Sequence, residues 1–499
     1  MSGLIPFRGN YIDGKFTRPN QQGQVSQSPG NLDQPVGVWC SDPKHADRAV
    51  CAAQKSFAQW SHVSRKHRVS ALKHFARAVS RGREELAVLI SREVGKPLWE
   101  ARQEAAAVVS KIDVTLEHAN TALNGYEVAV RKGVNGQCAY RPRGVMVVMG
   151  PFNFPAYLAT GQIAPALLAG NTVVFKPSEE APFVGQWLAQ AWYSARLPKG
   201  VFNLVQGAAE VGRALVAHPG IRGVLFTGSV PTGLVLRHAL VDRPEVFLGL
   251  EMGGKNPVIV LSDASLSIAA YEACVGAFIT AGQRCTSGSR ILVERKVVDP
   301  FVHRLLKNVD RMQVGDPADP SVFMGPLINA QAVERHRQVC AWAGKEGFKP
   351  LREGKNFKAG VRGYYRTPSV HLAQQRLKGA GSAYRDEEHF VPDMAIYAVE
   401  DLDEALALAN ATDYGLAAAV FTRSKRKFEH AFRRLEAGVI NWNHSTVKAS
   451  PKLPFGGRKR SGNDAPAGIA VLGTCVYPVA SLSDSRVAKD RESYPGLIR

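Results

Sequence analysis

No two of the seven cysteines in this 499-residue chain stand at a CxxC spacing, which argues against both a zinc site and a disulfide framework. Long apolar runs are missing too, so no stretch is expected to span a bilayer as a helix. The opening "MSGLIPFRGNYIDGKF" lacks the basic start, apolar core and cleavage signature of an export signal. Repeats, low-complexity tracts and Pro/Ser linkers are absent, so domains are expected to be joined by short connections and packed together. A reducing cytoplasm and no membrane partner are the expectations.

Acidic residues are scarce: 43 against 63 basic ones, a net charge of +20. A specific nucleic-acid binder would gather its basic residues on one stripe beside a recognisable module. Here the clusters are scattered, at "SRKHR" (64–68), "RSKRKFEHAFRR" (423–434) and "GGRKRSG" (456–462). A solvated basic surface is expected, whose field also favours a small anionic substrate.

What is present is ordinary globular composition, 45% hydrophobic and 21% charged, in a chain long enough for about two to four domains. Residues 64–123 repeat their apolar positions at three and four, a helical period. From Val145 the pattern becomes short apolar runs, "VMVVM", "TVVFK", "VFNLV", "GVLFTG" and "VFLGLE", separated by helical segments. Such runs, apolar on both faces, imply a parallel sheet covered by helices on both sides. A second α/β stretch begins at "NPVIVL" and includes "MAIYAV", "AAAVFT" and "GVINWN". In such sheets ligands sit beyond the carboxyl ends of the strands.

Four motifs fall at those ends. "FTGSVPTG" (226–233) follows a strand and opens a helix, either a plain turn or a site where backbone N–H groups face a phosphate. In "FKPSE" (175–179), Lys176 and Glu179 are placed to hydrogen-bond ribose hydroxyls, and the acidic residue disfavours a 2′-phosphate, hence NAD over NADP. Glu251 of "GLEMGGKNP" is either an ion-pair partner or, if partly desolvated, a general base. Asn153 of "GPFNFP" is either a turn residue or an amide that donates to a developing oxyanion. Cys285, in "ITAGQRCTSGSR", is either small buried packing or a reactive thiol.

Together "GPFNFP", "AGNTVVFKPSE", "FTGSVPTG", "LEMGGKNP", "GQRCT", "EEHFVP", "DYGLAAAVFT" and "PFGGRKRSGN" resemble, in that order, the NAD(P)-dependent aldehyde dehydrogenase superfamily over nearly the whole chain. Stretches such as "NFPAYLATGQIAPALLAGNTVVFKPSE" and "AFITAGQRCTSGSRILV" look most like the N-succinylglutamate 5-semialdehyde dehydrogenases of arginine catabolism. The resemblance implies an α/β fold with a Rossmann-type parallel sheet for NAD (1–124 and 145–250), an α/β catalytic domain (251–446), and an oligomerisation arm with a C-terminal segment (125–144 and 447–499). It implies Cys285 as nucleophile, Glu251 as general base and Asn153, with the Cys285 N–H, as oxyanion donors. Lys176, Ser178 and Glu179 match ribose contacts, and Gly228, Ser229, Val230, Pro231, Thr232 and Gly233 the pyrophosphate turn. Glu388 and Phe390 match residues beside the nicotinamide.

An anionic aldehyde substrate and a homodimer or homotetramer are likewise implied. Arg284, His444 and Lys448 are candidates for gripping an anionic tail. The chain departs from the superfamily where Val391 and Lys459 replace common glycines, and from the succinylglutamate enzymes at Tyr157, Ala159, His444 and Ser445. Two rivals are a CoA-acylating dehydrogenase, which usually lacks the base at the Glu251 position, and a catalytically dead scaffold with a basic binding surface.

Overall fold

The computed structural model describes residues 3–374, 382–484 and 494–496. The apolar runs form two seven-stranded sheets. In the first, Phe247–Glu251, Ile221–Thr227, Val145–Met149, Thr172–Lys176 and Phe202–Leu204 lie side by side and parallel. Asn10–Ile12 and Lys15–Thr17 then add an antiparallel edge that the sequence reading did not anticipate. Each central strand alternates its side chains between two cores. Met146, Val148, Val173 and Phe175 pack against the helices Leu98–Leu123, Tyr157–Ala169 and Pro182–Ser194. Val145, Val147, Met149 and Val174 face the helices Lys44–Trp60 and Ala209–Ala217. Burial on both faces is why these strands read as continuous apolar runs.

The second sheet runs Phe348–Arg352, Ser369–Ala373, Asp393–Val399, Gly288–Glu294, Asn256–Val260, Ala417–Phe421 and Val439–Trp442, parallel except for its first pair. Only Met252–Lys255 separates the last residue of Phe247–Glu251 from the first of Asn256–Val260. The carboxyl edge of the first sheet is therefore joined by four residues to the amino edge of the second, and the residues of interest fall along that junction.

The helical stretch expected from 64 to 123 is three helices, Arg65–Arg81, Arg83–Val94 and Leu98–Leu123. Gly82 and left-handed Gly95, followed by Pro97, interrupt it. Tyr126–Arg131, Val134–Pro142 and Val476–Asp484 form a separate three-stranded antiparallel sheet. Of the expected C-terminal segment, residues 485–493 and 497–499 lie outside the described residues.

Candidate active site

Cys285 sits between a tight 3-10 turn, Ile279–Gly282, and the strand Gly288–Glu294. Thr280, Ala281 and Gly282 are all left-handed, with φ of 56°, 52° and 70°. For the two non-glycine residues such a backbone costs about 1–3 kcal/mol each, so the surroundings must enforce it. Thr280 donates its hydroxyl to Glu100 and accepts from Arg284 Nε at 2.7 Å. The Asn153 amide reaches across from the first sheet and donates to the Gln283 carbonyl at 2.8 Å. Asn256 Nδ2 donates to the carbonyls of Cys285 and Ser287, at 2.8 and 2.9 Å. A Cβ on Gly282 would lie 2.3 Å from the Val391 carbonyl oxygen, so glycine is required there sterically as well as by φ.

Two carboxyls face this loop. Glu251 ends its strand with Oε1 accepting the Ala467 N–H at 3.1 Å. Its Oε2 is buried and has no partner among the described residues. Burial pushes the Glu251 pKa up to about 8. Glu388 accepts the Gly254 N–H at 3.1 Å, and burial raises it to about 7. It can approach only because residue 253 is glycine: a Cβ there would lie 1.8 Å from Glu388 Oε2. Burial first, then the charges of Glu388 and Glu251, push the Cys285 thiol up to about 12, with Arg284 pulling the other way. The resting sulfur therefore holds its proton, and both carboxyls that face it titrate near neutrality. A thiol beside a carboxyl of raised proton affinity can act as a nucleophile with a base.

The cofactor candidates lie along the same junction. Parallel register pairs Lys176 with Met149, Met149 with Phe226, and Phe226 with Leu250, so the turns after these strands share one edge. Lys176 is buried, donates to the Pro177 carbonyl and sits 3.5 Å from Glu179. Burial lowers its pKa, with Glu179 opposing. Ser178 accepts the Glu180 N–H. Gly228 donates to the Glu251 carbonyl, and Ser229 caps the helix Val230–Ala239, which carries Pro231 in its first turn, by accepting the Thr232 N–H. Gly233 packs against Met252, where a Cβ would come within 2.3 Å of the sulfur. Phe390, left-handed at φ 59°, meets Phe152 edge-on at 5.9 Å. A helix N-terminus, a buried ammonium and a carboxylate on one sheet edge suit a dinucleotide: the N–H groups to donate to pyrophosphate, the ammonium to donate to ribose hydroxyls and the carboxylate to accept from them.

Of the anion-gripping candidates, Arg284 is already engaged. Its guanidinium pairs with buried Glu100 at 2.9 Å and lies over the Phe154 ring. Arg284→Met would leave Glu100 with the Thr280 hydroxyl and, among the described residues, Lys96 as its remaining cation, at 3.8 Å. Breaking such a buried pair costs about 3–5 kcal/mol. We expect a lowered melting temperature and losses shared equally by anionic and neutral aldehydes; a loss confined to anionic aldehydes would restore Arg284 as a substrate contact. His444 and Lys448 are exposed in the turn after Val439–Trp442. Nearby Ser445 is buried, its N–H donating to Glu272. Ala159 is fully buried and Tyr157 half-buried on the helix after Asn153.

Val391 needs no glycine, since its φ is negative and its side chain is buried in a core cluster. Lys459 differs: at φ 53° it occupies a backbone region that favours glycine. Its ammonium donates to the carbonyls of Asn410 and Thr412 and pairs with Glu436, tying the turn together. Lys459→Ala keeps the strain and loses those bonds, whereas Lys459→Gly loses only the bonds. The alanine variant should melt lower than the glycine variant by an amount worth about 1 kcal/mol; equal melting temperatures would contradict this.

Residues not singled out from the sequence also build the site. Asn256 positions the Cys285 carbonyl, and Glu104 accepts the Ala156 and Tyr157 N–H groups at the start of the helix following Asn153. Elsewhere, Asp47, Cys51 and His218 bring three potential metal ligands together on the surface. His218 Nδ1 accepts the Gly220 N–H at 2.9 Å, which puts the ring proton of the neutral form on Nε2, toward Asp47. That is the opposite of the arrangement in which Nε2 would bind a metal.

The chain belongs to the aldehyde dehydrogenase family, whose model matches residues 17–477. It is an enzyme that oxidises an aldehyde with an NAD-type nicotinamide cofactor. Among its relatives, the N-succinylglutamate 5-semialdehyde dehydrogenases of Burkholderia thailandensis and Paraburkholderia xenovorans are 39% and 38% identical, over 98% of this chain and 99% of theirs. An NAD-dependent aldehyde dehydrogenase from Sinorhizobium meliloti shares the fold with a TM-score of 0.92 and 30% identity, over 98% of this chain and 96% of that one. A P. syringae indole-3-acetaldehyde dehydrogenase variant, solved with NAD+ and IAA, gives 0.91 and 28%, over 96% and 97%. No helix among the described residues is long and apolar enough to cross a membrane.

Proposed function

We propose that this enzyme oxidises N-succinyl-L-glutamate 5-semialdehyde, a step of arginine catabolism, to N-succinyl-L-glutamate with NAD. The observation that carries the chemistry is the convergence on the Cys285 loop of Glu251, Glu388 and the Asn153-bound Gln283 carbonyl. Cys285 passes its proton to the facing Glu388 carboxylate, and the thiolate attacks the aldehyde carbon, forming a C–S bond and an oxyanion. The Cys285 N–H and the Asn153 amide, released from Gln283, hold that oxyanion; such a donor is worth about 3–4 kcal/mol of barrier. NAD, when bound, supplies the hydride acceptor that lets the adduct become a thioester. Glu251 then takes a proton from water as it attacks the thioester carbonyl; the C–S bond breaks, Glu251 returns that proton to the leaving sulfur, and the acid product loses its own proton to solvent as the carboxylate.

On this reading the first sheet with its helices (1–124, 145–250) holds the cofactor, and 251–446 carries the nucleophile. Lys176, Ser178 and Glu179 receive the adenosine ribose, the Gly228–Gly233 turn the pyrophosphate, and Glu388 and Phe390 the nicotinamide end. The Glu179 carboxylate repels a 2′-phosphate, which favours NAD over NADP. Tyr126, Val128, Val130, Tyr477 and Leu482 expose apolar surface on the three-stranded sheet, which suits burial against another copy in a homodimer or homotetramer. The substrate assignment rests on the named relatives and the net charge of +20. Comparing kcat/KM for N-succinylglutamate semialdehyde, succinate semialdehyde and an uncharged aldehyde tests it. The first should lead clearly; equal efficiencies would refute an anionic pocket.

A further inference from the structure

The long helix Leu98–Leu123 runs beside Tyr157–Ala169, the helix that follows Asn153. Its polar residues on that side have separate duties. Glu100 holds Arg284 and Thr280 beside the Cys285 loop, and Glu104 accepts the N–H groups that open the neighbouring helix. Two turns beyond Glu104, on the same face, stands Lys111, about 10 Å further along the axis. Lys111 is 5% exposed, and among the described residues its ammonium has no hydrogen bond or ion pair.

Gly161 makes the space for it. A Cβ at Gly161, one turn past Tyr157, would lie 3.0 Å from Lys111 Cε and 3.8 Å from Nζ. No charged neighbour acts on this ammonium; burial alone pulls its pKa down to about 8. A largely buried cation lowers stability when it lacks a protein counter-ion, and it ordinarily has one. The proposed reaction brings two kinds of anion to this junction; the NAD pyrophosphate is assigned to the Gly228–Gly233 turn, which leaves a substrate carboxylate for Lys111.

We propose that Lys111 is a specificity-determining residue that binds a carboxylate of the aldehyde substrate between the two helices, two helical turns beyond Glu104, which caps the helix that follows Asn153. This rests on the reading of the enzyme as a dehydrogenase of an anionic semialdehyde.

The test uses the full-length enzyme, Lys111→Met and Lys111→Arg. In Lys111→Met the ratio of kcat/KM for N-succinylglutamate semialdehyde to that for an uncharged aldehyde should fall about 30-fold or more, the range of a charge-assisted hydrogen bond, mainly through KM. Lys111→Arg should recover much of the loss. Succinate, as a competitive inhibitor against the uncharged aldehyde, should weaken in parallel in Lys111→Met. Thermal unfolding should show that variant folded and at least as stable as the parent.

An unchanged ratio and unchanged succinate inhibition would overturn the assignment. So would equal losses on both aldehydes, which would instead make Lys111 a structural partner of the Gly161 carbonyl, left without its helical donor by Pro165. If the parent enzyme shows no preference for the anionic aldehyde, the substrate reading fails on its own, and the succinate arm still decides whether Lys111 binds a carboxylate.

Discussion

Replacing Cys285 by alanine is expected to lower aldehyde-dependent NADH formation by at least about 10⁴-fold, because residues that act as one covalent unit lose nearly everything together. Cys274, Cys340 and the other thiols cannot substitute. Cys274 is buried in the core beneath the second sheet, bonded to the Leu305 carbonyl, and Cys340 lies on the helix Ala330–Lys345. NAD binding, read by fluorescence titration, should survive, since Lys176, Ser178, Glu179 and the 228–233 turn belong to other segments. Serine at 285 should do little better than alanine, because an alkoxide is both harder to form and a poorer leaving group than a thiolate. Near-parental turnover in Cys285→Ala would refute the nucleophile assignment.

Glu251→Gln should separate the two halves of the reaction. Removing a general base typically costs about 10²–10⁴-fold, and here the loss should fall on hydrolysis of the thioester. Rapid mixing should therefore show a burst of NADH close to one per site, followed by slow turnover. The same substitution removes one of the negative charges that raise the Cys285 thiol, so acylation is not expected to suffer in proportion. With its pKa pushed up to about 8 by burial, Glu251 is protonated at lower pH and becomes an effective base as pH rises. Parent kcat should climb through about pH 8, and the climb should vanish in Glu251→Gln. A slow linear trace without a burst would place Glu251 before hydride transfer.

Much of this architecture can be read from local pattern. Val145–Met149 and Thr172–Lys176 coincide with their apolar runs, because a strand buried on both faces has no polar alternation to blur its ends. Ser369–Ala373 and Phe348–Arg352 escaped notice: "SVHLA" interrupts its apolar residues with a histidine, and "FKPLR" carries two basic residues and a proline on a sheet edge. The motifs locate Cys285 and Asn153 on loops beside strand ends and Glu251 at the end of its strand. What sequence spacing does not carry is side-chain partnership. Arg284 looks like a free cation next to a nucleophile until Glu100, 184 residues away, is seen to hold it. Lys111 looks like one more lysine on a helix until Gly161 is found beneath it. Lys459 breaks a glycine motif, and only its three bonds explain how the turn tolerates a side chain.

The most direct test of covalent catalysis at this junction is peptide mass analysis of Glu251→Gln quenched in acid just after its burst with NAD and N-succinylglutamate semialdehyde. The peptide holding Cys285 should carry the mass of the substrate's acyl group, in an amount that matches the NADH released. Acyl label on Cys274 or Cys340, or NADH released with no labelled cysteine, would contradict it.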